Sequence, residues 1–430
     1  MTEKLLQFIW QFQYYHQHEL VTVADESLII LSPGKLNANQ GPDFLDASIR
    51  IGNIVFVGNI ELHVYSSDWI KHKHSTNKQY ANVILHVVWL YNVEVLDQHQ
   101  NSIPTLVLQD RVAKVLLQRF ELLMNDYAVI HCKKFLPVLS DIEWLSWKER
   151  LAVERLAIKS QRVLVFFEEA NHHWEEVFWL MMASNFGIKV NAALFESVAR
   201  SISINILAKH KTQINQIEAL LFGQANLLED TFEEAYPKLL QREYNFLKKK
   251  YRLNKVNINA YYLRMRPANF PTVRLAQLAM FIYQSNHLFS KIKEFDSLKE
   301  VKKLFDITCN DYWHYHYVFD TETSYHPKHL GKHTVDTILI NTVVPLLFAY
   351  GVQVSEQKSK DKAIRWLTEI KAERNAITRL WEEHNITNHN AFDSQAFIHL
   401  TQNYCSKKCC LNCAIGNSLL KTTNENKHLA

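Results

Sequence analysis

Asp43, Glu61 and His63 are the residues of this chain best suited by type and spacing to chemistry. Asp43 lies in Gly41-Pro42-Asp43-Phe44, ahead of one predicted β-strand, and Asn59-Ile60-Glu61-Leu62-His63 lies on the next. Residues two apart on a strand share a face, so Glu61 and His63 point the same way. A turn at Gly52-Asn53 folds Asp43 and Asp46 back beside them. Carboxylates gathered with an imidazole suit Mg²⁺ or Mn²⁺, and such an ion activates water for phosphodiester hydrolysis. Asp43, Glu61 and His63 are therefore the expected catalytic residues. The same three, joined by His74 and His86, are the expected metal ligands. His74 ends Asp68-Trp69-Ile70-Lys71-His72-Lys73-His74, while His86 interrupts the apolar run Val83–Leu90, where a polar ring needs a partner.

A second donor cluster lies near the C-terminus. Four of the six cysteines, Cys405, Cys409, Cys410 and Cys413, fall within nine positions. Cys410-x2-Cys413 lets one tight turn present two thiolates to a metal, and Cys405 supplies a third. The fourth ligand is Cys409 or a distant residue, with Cys132 preferred over Cys309. Zinc and a 4Fe–4S cluster both suit such thiolates, in a structural role. A third constellation sets Arg264, Arg266 and Arg274 among Tyr261, Tyr262 and Phe270, a combination suited to nucleic-acid phosphates and bases. The basic stretch 238–252 adds charge. Walker, dinucleotide-binding and Gly-x-Ser-x-Gly motifs are absent from the sequence.

These residues need elements to position them. Strands are predicted near 20–23, 27–31, 45–51, 54–65 and 83–92, after a helix over 3–16. Residues 104–128 read as an extended piece leading into a helix. From about 140 helical periodicity dominates, with helices near 172–186, 191–207, 212–222, 231–250, 271–284, 333–349, 358–383 and 391–403. The expected class is α+β: a mixed α/β head over 1–135, a helical domain over 136–403, a Cys-rich segment over 404–420 and a disordered tail over 421–430.

Composition agrees with a folded, largely helical protein. The chain has 430 residues, 47% of them hydrophobic and 12% aromatic, which excludes a disordered polypeptide. A net charge of +4 is a mild basic bias compatible with nucleic acid. The N-terminus reads as no secretory signal, no apolar stretch is long enough for a membrane span, and the crowded cysteines fit a reducing compartment. The expectation is a cytoplasmic protein with nucleic acid as partner and no membrane association.

The head resembles the PD-(D/E)XK nuclease core, in which a Pro-Asp pair precedes one strand and Glu-x-Lys sits on the next. Pro42-Asp43 and Glu61-Leu62-His63 match those positions, with Glu3 or Glu19 completing the set. His63 stands where that family has Lys. The resemblance implies a divergent metal-dependent nuclease, or a non-catalytic nucleic-acid-binding or assembly protein of the same fold. Another hydrolase using a His/carboxylate site is the third reading. Across the chain, Gly41-Pro42-Asp43-Phe44, Gly58-Asn59-Ile60-Glu61-Leu62-His63, Trp69 with His72 and His74, Leu85-His86-Val87-Val88, Ala219–Ala225, Arg264–Pro271 and the terminal cysteines resemble DUF2851. That is a family of uncharacterised bacterial proteins typical of Bacteroidetes, and it implies no established activity.

Overall fold

The computed structural model describes residues 1–136, 138–284 and 288–421. The chain divides into two compact units, Met1–Asp141 together with the segment from Thr401 onward, and Ile142–Leu400. The boundary expected after residue 135 thus falls at Asp141. The Cys-rich segment is part of the first unit rather than a module of its own. The tail expected over 421–430 lies outside the described residues, except for Lys421, which ends the last helix.

The first unit is a mixed seven-stranded sheet with helices. Its strands are β1 (Leu20–Val21), β2 (Ser27–Ser32), β3 (Lys35–Leu36), β4 (Phe44–Ile51), β5 (Ile54–Tyr65), β6 (Val83–Leu90) and β7 (Thr105–Val107). The sheet order is β1-β2-β4-β5-β6-β7, with β3 also on β4. Pairing is antiparallel up to β5, then parallel for β5–β6 and β6–β7. A parallel neighbour requires a crossover. Residues 66–82 provide it, opening with the helical turn Asp68–Lys71.

Register does the positioning. Glu61 pairs with His86 and His63 with Val88, so Glu61, His63 and His86 share one face. Ile60, Leu62, Leu85 and Val87 bury on the other. The β4–β5 hairpin closes at Gly52, whose φ of +55° is the left-handed conformation that favours glycine. Between Phe44 and Ala47 the ladder bulges at Asp46, which has φ +56° and is exposed. The bulge turns Asp46 outward, so it does not join Asp43 as the sequence suggested.

The N-terminal helix Glu3–Gln11 packs on β5 and β3 through Leu5, Leu6, Phe8, Ile9 and Trp10, an apolar stripe at helical spacing. Thr2 caps its start, accepting from the Leu5 amide at 3.3 Å. It is shorter than the predicted 3–16 because Gln13 takes φ +54°.

The second unit is helical and owns an extensive apolar core. Its helix Trp174–Phe186 is buried on almost every side. Two of the predicted helices each divide. The 191–207 run becomes Ile188–Ser201 and Ile204–Lys209, separated by an extended Ile202. The 358–383 run becomes Gln357–Glu369 and Ala376–Glu382, where Asn375 and Thr378 form a capping box. The helical stretch Lys332–Gln353 is apolar and long enough to cross a bilayer, but most of it is buried within the protein, as a core helix would be.

Candidate metal centre

The face shared by β5 and β6 carries the centre. Glu61, His63 and His86 come from the strands, and the crossover returns His72 and His74 over them. Lys73 makes that return possible, because its φ of +59° reverses the chain between the two histidines. His63, His72 and His74 each bring one ring nitrogen into a group whose members all lie within 4.8 Å of one another. His63 Nε2 is 3.1 Å from His72 Nδ1. Glu61 Oε1 joins them, 3.4 Å from His74 Nε2 and 3.7 Å from His63 Nε2. An ion held at about 2.0–2.2 Å from each donor spans separations of this size.

The surroundings fix these side chains. Trp69 is buried edge-on to His74, with ring centroids 5.2 Å apart, and Tyr80 stacks on the same imidazole at 3.7 Å. His63 Nδ1 faces His86 Nε2 at 2.9 Å. In the tautomer where His63 donates that hydrogen, its Nε2 lone pair is turned to the cluster. This is how an outer partner orients a metal-binding histidine. His74 Nε2 is buried and has no hydrogen-bond partner. A neutral imidazole nitrogen left in this state, beside a carboxylate oxygen and two other imidazoles, fits a bound cation.

Electrostatics agree. Burial pushes the His63 pKa down to about 3, helped by the charges that His74 and His72 would carry. Burial likewise lowers His74, and lowers His86 well below the ordinary histidine value. The imidazoles are therefore held neutral, the form that ligates. Burial raises both carboxyl groups. For Asp43 the charge of Glu61 adds to it, and Glu3 raises both further. A site short of positive charge is what these shifts describe.

The structure redistributes the expected roles. Glu61 and His63 stay at the centre with His74. Asp43 sits beside them, but Gln7 donates to its Oδ1 at 2.8 Å and the Leu62 amide to its Oδ2 at 3.0 Å. Its own amide donates to Glu61 Oε2 at 3.0 Å, so Asp43 braces Glu61 against β5 rather than offering a free oxygen. His86, expected as a ligand, turns its Nε2 to His63 and acts as that ring's orienting partner. His72, exposed at the rim, was missed; the signal was the His72-Lys73-His74 spacing in a turn after Trp69. Of the two candidate acids, Glu3 is close enough to act on both carboxyls, whereas Glu19 lies in a left-handed turn with its carbonyl bound by Arg111. The donor set changes character with these corrections. Three imidazoles and one carboxylate suit zinc, iron or manganese better than Mg²⁺, which prefers oxygen.

Arg264 and Arg266 are exposed on the helical unit. Arg274 is not available to a nucleic acid. It is buried, and its guanidinium donates to Gln277, Asn269 and Thr334. Cys132, Cys405, Cys409, Cys410 and Cys413 all line one small cleft of the first unit. Cys309 is excluded from it, being buried in the helical unit with its thiol 3.8 Å from the Val273 carbonyl.

The family model described as "Protein of unknown function (DUF2851)" matches residues 3–376. The match takes in every residue of the His–Glu centre and Cys132, and stops short of Cys405–Cys413. No curated protein and no solved structure matches the chain.

Proposed function

The chain belongs to the DUF2851 family, and we propose that it is a metal-dependent hydrolase centred on His63, His72, His74 and Glu61, with phosphodiester bonds as its substrate class. The observation that carries this reading is the buried, unpartnered His74 Nε2 set 3.4 Å from Glu61 Oε1, with His63 and His72 completing the ring of donors. Zinc or manganese fits this set. When bound, such an ion lowers the pKa of its water toward neutrality and so supplies hydroxide.

The chain's own residues then have separate tasks. His86 holds the His63 ring, Trp69 and Tyr80 hold His74, and Asp43 holds Glu61. His72 lies at the exposed edge, so a substrate approaches from its side. The imidazole at position 63 belongs to the donor set, which answers why no Lys is needed there to orient a water. The net charge of +4 is compatible with a polyanionic substrate, and cysteines crowded at metal-ligand spacing favour a reducing compartment, the cytoplasm.

The test is cleavage of bis(4-nitrophenyl) phosphate, DNA and RNA with zinc, manganese or magnesium supplied separately. Zinc or manganese should support hydrolysis that is lost in Glu61→Gln and His74→Ala. Nucleic-acid binding without cleavage under any metal supports the non-catalytic reading instead.

A further inference from the structure

A second site is independent of the His–Glu centre. Five cysteines and His131 line a cleft of about 20 Å³ in the first unit. The backbone is shaped around it. Residues Leu400–Cys405 form a π-helical turn, Lys408 takes φ +53°, and the Cys413 amide closes on the Cys410 carbonyl at 3.2 Å. His131 Nε2 meets the Cys405 carbonyl at 2.9 Å, which sets the neighbouring Cys132 beside the C-terminal thiols. The final helix Ala414–Lys421 is pinned by Tyr14 to Asn417 at 3.0 Å and by Arg119 to the Leu419 carbonyl at 3.2 Å.

Two details point to a ligand. The amides of Ile415 and Gly416, at the start of that helix, donate to the Cys413 sulfur, as outer partners do to a metal-bound cysteine. Gly416 permits this approach: a Cβ at that position would lie 2.1 Å from the Cys410 carbonyl oxygen. Cys132, Cys405, Cys410 and Cys413 also lie near enough for charge on one to disfavour charge on another. Cys132, Cys405 and Cys413 are buried and Cys410 is half-buried, so four sulfurs gather in one cleft. Cys409 is half-buried and its thiol turns to the Lys407 carbonyl at 3.6 Å.

The spacing separates the two thiolate cofactors. A zinc tetrahedron with Zn–S near 2.3 Å needs its sulfurs within about 4 Å of one another. Among the described residues, His63, His72 and His74 bring three donors within 4.8 Å of one another, whereas the cysteines are set around a cleft that His131, Tyr404, Ile415 and Gly416 also line. A cubane is ligated at four separate irons, so its thiolates stand farther apart.

We propose that Cys132, Cys405, Cys410 and Cys413 ligate a 4Fe–4S cluster that staples the C-terminal segment to the rest of the first unit, with Cys409 outside the ligand set. Lys133, Lys134, Lys407 and Lys408 flank the ligands in sequence and offset the negative charge of a four-thiolate cluster.

The test uses full-length protein purified anaerobically. Wild type should be brown and contain about four irons and four acid-labile sulfides per chain. Cys409→Ser should keep that content, while Cys132→Ser and Cys405→Ser should each lose most of it. If those variants are insoluble, oxidative removal of iron from the wild type should render residues 401–421 sensitive to protease. One zinc without sulfide, no metal at all, equal iron loss in Cys409→Ser, or unchanged protease resistance after iron removal would each overturn the proposal.

Discussion

Each unit of this protein buries a glutamate, and the two are treated in opposite ways. Glu218, in the helical unit, is fully enclosed. It accepts from Trp313 Nε1 at 3.1 Å, from Asn310 Nδ2 at 2.8 Å and from the Tyr236 hydroxyl. Tyr236 in turn stacks on Tyr312, so the donors are themselves locked. Glu61, on β5, takes its amide bond from Asp43 on one oxygen and turns the other to imidazole nitrogens held neutral by burial. A carboxylate saturated by fixed donors is a structural device. A carboxylate facing the nitrogens of neutral imidazoles is the arrangement on which the proposed metal site rests. Burial alone therefore does not mark a functional acid; what its free lone pairs face does.

The comparison can be broken at either end. The largest expected effect is on metal binding. Glu61→Ala should reduce zinc affinity at the centre by at least about 100-fold, since it deletes one donor and leaves three, and should leave the unfolding of the helical unit unchanged. Calorimetric titration on a Cys405→Ser, Cys410→Ser and Cys413→Ser background, which leaves two thiols in the cysteine cleft, measures it. Equal affinity in the variant would remove Glu61 from the centre.

Next is Glu218→Ala, which removes the shared acceptor of Trp313, Asn310 and Tyr236 and leaves the buried Trp313 Nε1 without it. It should destabilise the helical unit by about 3–5 kcal/mol with no change in metal binding. Denaturant titration followed by tryptophan fluorescence reads the first effect and the calorimeter the second.

The same glutamate gives a pH signature. Burial pushes Glu218 up to about 7, outweighing its three donors. Between its unfolded value near 4.5 and that figure, the folded state binds the extra proton, so stability falls as pH rises. The contribution is complete below about pH 4.5 and lost through pH 7, amounting to about 3 kcal/mol at most. Chemical denaturation at pH 5 and pH 8 should show this fall in wild type and a flatter profile in Glu218→Gln. A profile rising toward pH 8 in the helical transition would contradict the sign.

The smallest effect belongs to His86→Ala, which removes the orienting partner of His63 and no ligand. Metal affinity should drop about 10- to 100-fold, less than for Glu61→Ala. A loss as large as that of Glu61→Ala would make His86 a ligand after all.

Much of the frame was readable from the sequence. β5 spans the predicted 54–65, β6 and most helices lie where periodicity placed them, and Glu61 and His63 share a face because strand period is two. What periodicity cannot carry is backbone reversal and hydrogen-bond occupancy. Lys73 in the left-handed region recruits His72; a bulge at Asp46 removes that acid. Asp43 looked like a ligand by type, yet both its oxygens are taken by Gln7 and Leu62, partners distant in sequence. Arg274 looked available among aromatics and is buried against Gln277 and Asn269. Glu218 stands between Ile217 and the apolar run Ala219–Phe222, where a lone acid could have signalled a buried network.

The central claim is that His63, His72, His74 and Glu61 form one metal site separate from the cysteines. The most direct measurement is the zinc content of protein carrying Cys405→Ser, Cys410→Ser and Cys413→Ser, with and without His72→Ala and His74→Ala added, after dialysis against trace metal. One zinc per chain in the triple-cysteine variant that disappears when the two histidines are replaced is the predicted result. No bound zinc in the triple-cysteine variant, or zinc that survives loss of both histidines, would contradict it.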